Sequence, residues 1–515
     1  MSSAAAPVDI PAPATRHARW PLVVAVVLAA ILEVLDTTIV NVAIPHMLGS
    51  FGATMDQITW VLTSYIVSAA VVMPLTGYLS TRFGRRNVLI TAIVGFAISS
   101  MLCGISWSLV SMVAFRLAQG CFGAVLVPLS QTILFTAFPR EKRGQAMALF
   151  GLGIIVAPVL GPTIGAILTE TFSWRAVFYV NVPVAVLALM LALGEIPSEP
   201  PRPIRTDWIG LGLLALSIGA LQFTIDQGES RDWFASRVIQ TAAFLSASTG
   251  LAFIWWAWSK RDAIVDLTLF KDRNFLAANL SMLAFGVSMF GSIALIPLLV
   301  QRLLDYPVLD SGLLFMPRGL AAGVSMVLVG AVLLRRVDPR ILVAIGLSLT
   351  AAGNLTLGFI DLDVDFWRLT WPGIIAGFGM GFFFVPLSTV AFDRIPREKA
   401  DEAAGLYGVM RSIGSSIGIA FVGWQLVSRT QLHWNGLVGH ITPYSEEAAA
   451  WLAPLGLSPS DPEGARLIAR EIGRQAQMFA FVELFWVLGW TAVAMFPMIL
   501  IMRRPSHAPD APAGH

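Results

Sequence analysis

Charged residues and cysteines are both scarce in this chain. Charged residues make up 13% of the 515 positions, whereas a soluble protein carries about a quarter, so the composition excludes an ordinary soluble domain. The two cysteines, Cys103 and Cys121, both lie in apolar stretches and are predicted to pack as small residues rather than form a disulfide. The six histidines lack the spacing of a metal site, and a net charge of +2 gives no sign of a nucleic-acid partner. We therefore expect no metal or other cofactor.

Long hydrophobic runs are abundant instead. Hydrophobic residues account for 56% of the chain, and the mean hydropathy is +0.74. Runs of about twenty apolar residues can cross a hydrocarbon core of about 30 Å, and they must be helical because the backbone has no other hydrogen-bond partners there. The sequence predicts an all-α integral membrane protein with fourteen transmembrane helices near 21–45, 57–79, 88–106, 109–137, 145–169, 176–195, 208–226, 237–259, 275–300, 312–334, 341–360, 370–391, 403–428 and 477–501.

The distribution of Lys and Arg predicts how these helices are oriented. The two tails and the even-numbered loops hold 22 of the 34 Lys and Arg residues, and the odd-numbered loops hold 9. Positive residues favour the cytoplasmic side of a membrane, so both termini are predicted to be cytoplasmic. The first twenty residues lack the apolar core and cleavage site of a signal peptide and are read as a polar tail.

One stretch of sequence occurs almost twice. Val127–Ser130 reads VPLS and is followed by Pro139–Lys142, which reads PREK; Val385–Ser388 and Pro396–Lys399 repeat both texts. The repeat pairs the fourth helix with the twelfth, so two helices, the seventh and eighth, are inserted between six-helix halves. The predicted organisation is a tail 1–20, a bundle 21–195, inserted helices 208–259, a bundle 275–501 with an exterior loop 429–476, and a tail 502–515. Duplicated membrane halves are typical of secondary transporters.

Two charges break the repeat. Aligning the halves places Arg116 opposite Ile374 and Asp36 opposite Ser288. Both lie roughly 10–14 Å below the same membrane surface, at 1.5 Å per residue, so they can pair if their helices are neighbours. Ionisable groups within a bilayer are functional candidates, and Asp36 is expected to carry protons as its environment alternates. The alternative is a static ion pair that braces two helices.

Other polar residues in the apolar helices are weaker candidates. Glu33 shares a helix face with Asp36 and is interpreted as a second titrating acid, a contact for cationic substrates or a polar cavity wall. Asn41 and Gln119 are expected to line a cavity, and Arg411 to serve a substrate or gating role.

The loop after the second helix and the fifth helix carry glycine patterns. The loop is expected to gate the cytoplasmic side through Gly77, Arg82, Gly84, Arg85 and Arg86; the alternative is anchoring by positive charge alone. The fifth helix contains Pro158, Gly161, Pro162 and Gly165, a spacing that allows close helix packing with prolines that loosen the helix. We expect it to seal against the partner bundle, ordinary packing being the alternative. In loop 429–476, residues 445–453 and 464–478 are predicted to be helical, as a cap or a partner contact.

These residues together resemble a known family over almost the whole chain. The matching text is Leu35–Pro45, Arg116–Gly120, Gly161–Gly165 and Trp174–Pro183. The chain is similar to the major facilitator superfamily, specifically fourteen-span drug:proton antiporters of the EmrB/QacA type. The gating loop also matches, but Thr81 stands where the wider superfamily has Asp.

The resemblance implies a major facilitator fold and export of hydrophobic or amphipathic toxic compounds in exchange for protons. It also implies an inner-membrane location and assembly with a periplasmic membrane-fusion protein and an outer-membrane channel. Asp36 and Arg116 match the family's coupling positions, whereas Glu33 replaces a commoner uncharged residue. The rival hypothesis within transport is export of one endogenous metabolite, such as a siderophore or a fatty acid. A membrane enzyme would need a catalytic set that the sequence does not show, and a channel would not need duplicated halves with one-sided charges.

Overall fold

The computed structural model describes residues 20–198, 206–260, 263–442 and 444–503, and the predicted tails lie almost wholly outside these ranges. Fourteen long helices span the described residues. They are α1 (Trp20–Phe51), α2 (Trp60–Phe83), α3 (Arg85–Gly104), α4 (Leu109–Ala137), α5 (Arg140–Thr171), α6 (Ala176–Glu195), α7 (Trp208–Gln227), α8 (Arg237–Ser259), α9 (Arg273–Leu298), α10 (Val308–Ala331), α11 (Pro339–Leu357), α12 (Phe366–Phe392), α13 (Ala400–Val438) and α14 (Pro462–Ala494).

Each predicted membrane helix corresponds to one of these fourteen, which confirms the all-α membrane fold. Thirteen helical segments in the described chain are long and apolar enough to cross a membrane, and α5 is a continuous helix of 32 residues. The predicted boundaries were too short at α5, α13 and α14. These helices continue into polar sequence, where the backbone ladder persists although the apolar pattern ends.

The exterior segment before α14 is partly helical, as expected. A short helix covers Glu446–Leu452, and α14 begins at Pro462, well before the apolar run that marks its membrane part. The predicted helices at 445–453 and 464–478 are therefore confirmed. The second of them is the outer extension of α14.

The helices pack into two groups, α1–α6 and α9–α14. Within α1–α6, α1 packs on α5, α6 and α4, while α4 packs on α2 and α3. Within α9–α14, α9 packs on α13 and α14, while α12 packs on α10 and α11. We refer to α1–α6 and α9–α14 as the N-terminal and C-terminal halves. Helices α7 and α8 pack on each other, and α7 also contacts α2 and α13.

The two halves meet most closely at one end of the molecule. We define the inner end as the end at which α1 begins. Helix α5 packs along α10, α2 packs on α13, and the inner part of α4, Leu126–Ala137, packs on α13. The outer part of α4, Leu109–Gly123, makes no comparable contact with the C-terminal half. The halves therefore meet at the inner end, where α2, α4 and α5 all reach the C-terminal half. Towards the outer end α4 stands apart from it, while α5 and α10 stay in contact as far as Thr163 and Gly312.

The turn between α2 and α3 depends on one glycine. Gly84 has φ 83° and ψ 139°, a region that residues with a side chain rarely adopt. We expect Gly84→Ala to lower the free energy of unfolding by about 1–3 kcal/mol, measured by thermal unfolding in detergent. Gly194→Ala is the matched control, because Gly194 is helical with nothing within 4 Å of an added Cβ. Equal melting temperatures for the Gly84 variant and the unmodified protein would contradict this account.

Candidate functional site

The two charges that break the repeat form an ion pair between α1 and α4. Arg116 Nη1 lies 2.5 Å from Asp36 Oδ2. The side chain of Asp36 is 0% exposed and that of Arg116 is 1% exposed. The expectation that these residues meet is confirmed. Because an unpaired charge in this environment is costly, each side chain stabilises the other.

Neutral side chains complete the hydrogen bonding of the Asp36 carboxylate. Its Oδ1 accepts from Gln119 Nε2 and from Asn181 Nδ2, each at 2.9 Å. Arg116 Nε donates to the carbonyl oxygen of Val61 at 3.0 Å. The network thus ties α1, α2, α4 and α6 together at one buried point. All three donors to Asp36 suit a carboxylate anion, which only accepts hydrogen bonds.

Two members of this network were not singled out from the sequence. Asn181 bridges Asp36 to Ser100 of α3, 3.1 Å from its Nδ2. The ring of Tyr65 lies under the Arg116 guanidinium, with 4.2 Å from Cζ to the centroid, as a cation–π contact. In the sequence, the signal for Asn181 was an amide residue inside an otherwise apolar helix. For Tyr65 the sequence held no comparable signal, because only the packing of α2 on α4 brings its ring under the arginine.

Glu33 lies near this network but is not part of it. Its side chain is 8% exposed, and its Oε2 has no hydrogen-bond partner among the described residues. Arg411 of α13 is close enough to act on it electrostatically, although no ion pair within 4.0 Å joins them in the described chain. Asn41, also predicted to line a cavity, is exposed, and its Nδ2 donates to the Thr37 carbonyl of its own helix at 3.3 Å.

The equivalent place in the C-terminal half holds neutral groups. Ser288, which aligns with Asp36, donates its Oγ hydrogen to the Leu488 carbonyl at 2.8 Å and accepts from Asn354 Nδ2 at 3.4 Å. Phe285, which aligns with Glu33, stacks on Phe383 with 3.9 Å between ring centroids. The two halves thus share a polar junction between corresponding helices, but only the N-terminal junction contains an ion pair.

The predicted gating loop lies at the inner end and joins the two halves. Arg85 Nε is 2.7 Å from Asp401 Oδ2 at the start of α13, and Arg85 Nη2 donates to the Arg397 carbonyl at 3.1 Å. A Cβ on Gly77 would lie 2.6 Å from Glu402 Cα, so the absence of a side chain permits α2 to approach α13.

The other two arginines of this loop bond within or near the N-terminal half. Arg82 Nη1 donates to the Tyr78 hydroxyl at 2.8 Å, and Arg86 Nη2 donates to the Leu193 carbonyl at 2.7 Å. These bonds hold the loop against α2 and α6. Among the described residues, Arg85 forms an ion pair that joins the two halves.

The segment between α8 and α9 adds a second inner contact. Asp266 accepts a hydrogen bond from Lys399, and its backbone N–H donates to Glu402. Burial raises the pKa of the Asp266 carboxyl. The hydrogen bonds from Lys399 and Thr268 and the charge of Lys399 lower it by more than burial raises it, so the pKa lies below its ordinary value. The contacts of the Asp266 carboxylate therefore stabilise the folded protein at pH values above the ordinary pKa of an aspartate. This stabilisation is lost as the pH falls through the lowered pKa.

The glycines of α5 face two different neighbours. An added Cβ would lie 2.1 Å from Thr38 Oγ1 at Gly161 and 2.9 Å from the Ile39 carbonyl at Gly165. This pair therefore packs on α1 of its own half rather than on the partner half. The partner half is reached by Gly144, whose Cβ would lie 3.0 Å from the Gly330 carbonyl of α10. Pro158 and Pro162 lie within the continuous helix.

The Asp36 network makes a prediction about stability. Asn181→Ala removes one of the two donors to Asp36 Oδ1, an oxygen with no access to solvent, and we expect the free energy of unfolding to fall by about 1–3 kcal/mol. Asn41→Ala is the control, since Asn41 is exposed and bonds only to its own helix. Thermal unfolding of both variants in detergent measures the difference. Equal melting temperatures for the two variants would show that the Asn181 bond does not stabilise the pair.

Comparisons with solved structures support the fold. The human organic anion transporter MFSD10 has a TM-score of 0.59 and 17% identity, covering 93% of this chain and 100% of its own. The proton:xylose symporter XylE also has a TM-score of 0.59, with 15% identity over 94% of this chain and 95% of its own.

Comparisons with curated sequences identify nearer relatives. The fatty acid resistance protein FarB of Neisseria gonorrhoeae is 35% identical, over 93% of this chain and 95% of its own length. The multidrug export protein EmrB of Escherichia coli K12 is 32% identical, over 94% and 95%. EmrB of Haemophilus influenzae is 33% identical, over 94% and 96%. Residues 26–419 match the family description Major Facilitator Superfamily. With its fourteen long helices and its buried ion pair, this chain belongs to the major facilitator superfamily of membrane transporters.

Proposed function

We propose that this protein is a proton-coupled multidrug exporter, which moves hydrophobic and amphipathic compounds across the inner membrane by alternating access. The observation that carries the proposal is the buried Asp36–Arg116 pair, present in one half of a duplicated fold and replaced by neutral groups in the other. The multidrug export relatives, similar over nearly their whole length, support the same activity.

Proton binding at Asp36 would change the network that joins four helices. A protonated carboxyl group loses its charge and becomes a donor, so Arg116 would lose its anionic partner. Arg116 would keep the Val61 carbonyl, Gln119 and the face of Tyr65. The contact between α1 and α4 would weaken, while Arg116 kept its neutral hydrogen-bond partners. Protonation can therefore shift the packing of the N-terminal half, because it leaves the Arg116 charge without an anion at a site that solvent does not reach.

The contacts between the halves describe one of the two conformations that alternating access requires. The inner end is closed by Arg85–Asp401 and by Phe135 on Phe392, whose ring centroids are 5.4 Å apart. The outer part of α4 does not approach the C-terminal half. We assign this arrangement to the outward-facing state. Inward opening would separate these inner contacts as the halves rock.

The energy available from protons is sufficient for concentrative export. One charge crossing 100 mV yields about 2.3 kcal/mol. Each proton at that potential supports a substrate gradient of roughly 50-fold, since about 1.4 kcal/mol corresponds to a factor of ten.

Location and orientation are part of the proposal. The bias of Lys and Arg towards the tails and even-numbered loops supports cytoplasmic termini, so the inner end faces the cytoplasm. Assembly with a periplasmic membrane-fusion protein and an outer-membrane channel stays a prediction from the family resemblance. The outer extensions of α13 and α14 are the surfaces available for such a contact.

A second candidate function is export of one endogenous compound, of which a fatty acid is the favoured example. The relative from Neisseria gonorrhoeae is named a fatty acid resistance protein. Transport of a chemically varied dye panel by purified protein separates the two functions. Export of several unrelated dyes supports the multidrug function, whereas export of fatty acids alone supports the second candidate.

The coupling role of Asp36 makes a prediction about transport. In proteoliposomes, we expect Asp36→Asn to abolish dye uptake driven by a proton gradient, because the side chain can no longer exchange a proton. Exchange of dye down its own gradient should persist, since the amide retains the shape of the carboxyl group. Both rates are measured by fluorescence on the same preparation.

Asp232→Asn, which alters an exposed acid at the outer end, is the control and should retain both activities. Arg116→Ala should also lose coupling. Proton-driven uptake by Asp36→Asn at the normal rate would exclude Asp36 from coupling. Reduced melting temperatures with intact coupling in both variants would instead favour the static brace.

Alternating access makes a second prediction. After Cys103 and Cys121 are replaced, cysteines at positions 135 and 392 joined by a short thiol-specific cross-linker should hold the inner end closed. We expect proton-driven transport to fall more than tenfold and to recover when the linker is cleaved by reductant. Single-cysteine variants treated in the same way should be unaffected. Full activity of the linked protein would show that this contact does not open during transport.

A further inference from the structure

An arginine in the C-terminal half has no anionic partner among the residues that the structure describes. Arg318 lies on α10, its side chain is 6% exposed, and its Nη1 has no hydrogen-bond partner among the described residues. None of the ion pairs in the described part of the chain includes it. Breaking a buried pair costs several kcal/mol because one charge is left alone. The charge of Arg318 is likewise buried without a counterion among the described residues.

The position of Arg318 is far from either membrane surface. It lies ten residues from the start of α10 at Val308, or roughly 15 Å at 1.5 Å per residue. That is about half of a hydrocarbon core of about 30 Å. A long side chain at this depth does not reach the interface readily, so a lipid headgroup is a poor counterion for it.

The adjacent helix leaves space beside this arginine. Helix α12 presents Gly377 and Gly373 to α10; a Cβ on Gly377 would lie 2.3 Å from the Arg318 carbonyl oxygen, so the two backbones touch there. A Cβ on Gly373 would meet only Arg318 Cβ, at 3.8 Å. Gly373 thus leaves room for one added carbon atom beside Arg318, one turn towards the outer end.

The surroundings of this space are apolar. Leu314, one turn before Arg318, is buried in a cluster that includes Leu369 of α12 and Val422 of α13. An apolar groove of about 680 Å³ lies between α5 and α10. The residues of α10 that line it, among them Leu320, lie on the face of α10 opposite to Arg318. The groove is therefore separate from the space at Arg318.

We infer that Arg318 is an anion site, which binds the carboxylate of an amphipathic substrate whose hydrocarbon part lies against the apolar side chains around it. The inference rests on the proposed export function and specifies a substrate class for it. The planar guanidinium of arginine suits a carboxylate because it can donate two parallel hydrogen bonds. A single-tailed carboxylate satisfies both the orphan charge and its apolar surroundings.

The distribution of charge between the halves fits this assignment. Glu33 and Asp36, the acids buried midway along α1, belong to the N-terminal half. In the C-terminal half, Arg318 and Arg411 form no ion pair among the described residues, and the buried acid Asp401 lies at the inner end and pairs with Arg85. Proton and carboxylate would therefore bind on different halves. An anion bound at Arg318 would therefore not compete with Asp36 for Arg116.

The test compares two amphiphiles of equal chain length and opposite charge. Binding of radiolabelled dodecanoate and of dodecyltrimethylammonium to the purified full-length protein is measured by scintillation proximity, and proton-driven export of both is measured in proteoliposomes. We expect Arg318→Gln to weaken dodecanoate binding at least tenfold and to leave the cation unaffected. Arg318→Lys should bind dodecanoate with intermediate affinity, because it keeps the charge but not the planar fork. Arg336→Gln, at the exposed inner end after α10, is the matched control.

The outcomes separate the inference from the proposed function. Unchanged dodecanoate binding by Arg318→Gln overturns the inference, as does an equal loss for both amphiphiles. If Arg318→Gln does not fold, Arg318→Lys decides, and unchanged dodecanoate affinity in that variant overturns the site. A normal protein that exports the cation but neither binds nor exports dodecanoate refutes the inference and leaves the proposed function intact. Proton-driven export of neither amphiphile nor any dye refutes both.

Discussion

The buried pair of Asp36 and Arg116 is the interaction on which the rest of this structure depends. Water is excluded from both side chains, so their charges are satisfied only by each other and by the amides and carbonyl around them. Four helices of the N-terminal half supply these groups. Any change in the charge of the carboxyl group therefore alters the packing of several helices at once, which is the property that a coupling site requires.

The two halves share a polar junction between helices, but they differ in the charge of the residues that form it. Ser288 joins α9 to α14 through the Leu488 carbonyl, as Asp36 joins α1 to α6 through Asn181, and Asn354 adds a contact to α11. A hydroxyl group fulfils the hydrogen bonds of that junction without a counterion. The ion pair is thus not needed to join helices in this fold, and its presence in one half argues for a role beyond architecture.

The contacts at the inner end are of a kind that can separate. Asp401, Arg85, Lys399 and Asp266 are partly exposed or close to solvent, and their side-chain exposures range from 7% to 43%. The exposed Lys399–Asp266 pair, which joins the segment before α9 to the start of α13, contributes little net stability. The more buried Arg85–Asp401 pair joins the halves, and both of its side chains must be hydrated when the halves separate. The inner end therefore combines close helix approach at Gly77 with ion pairs that can be exchanged for hydration. Rocking of the halves would hydrate these groups and would also separate apolar contacts at the inner end, such as Phe135 on Phe392.

The sequence by itself determined the number of helices, the repeat and the two unmatched charges. Apolar runs in a bilayer must be helical, and an ionisable residue inside such a run is conspicuous whatever its neighbours are. It did not determine which residues meet. Asn181 and Tyr65 join the ion pair, Asn41 does not, and Gly161 faces α1 while Gly144 faces α10. These outcomes depend on the rotation of each helix about its axis and on which helices are neighbours. Only the tertiary packing decides both, because polar side chains on adjacent turns look equivalent along the chain until another helix occupies one of their faces.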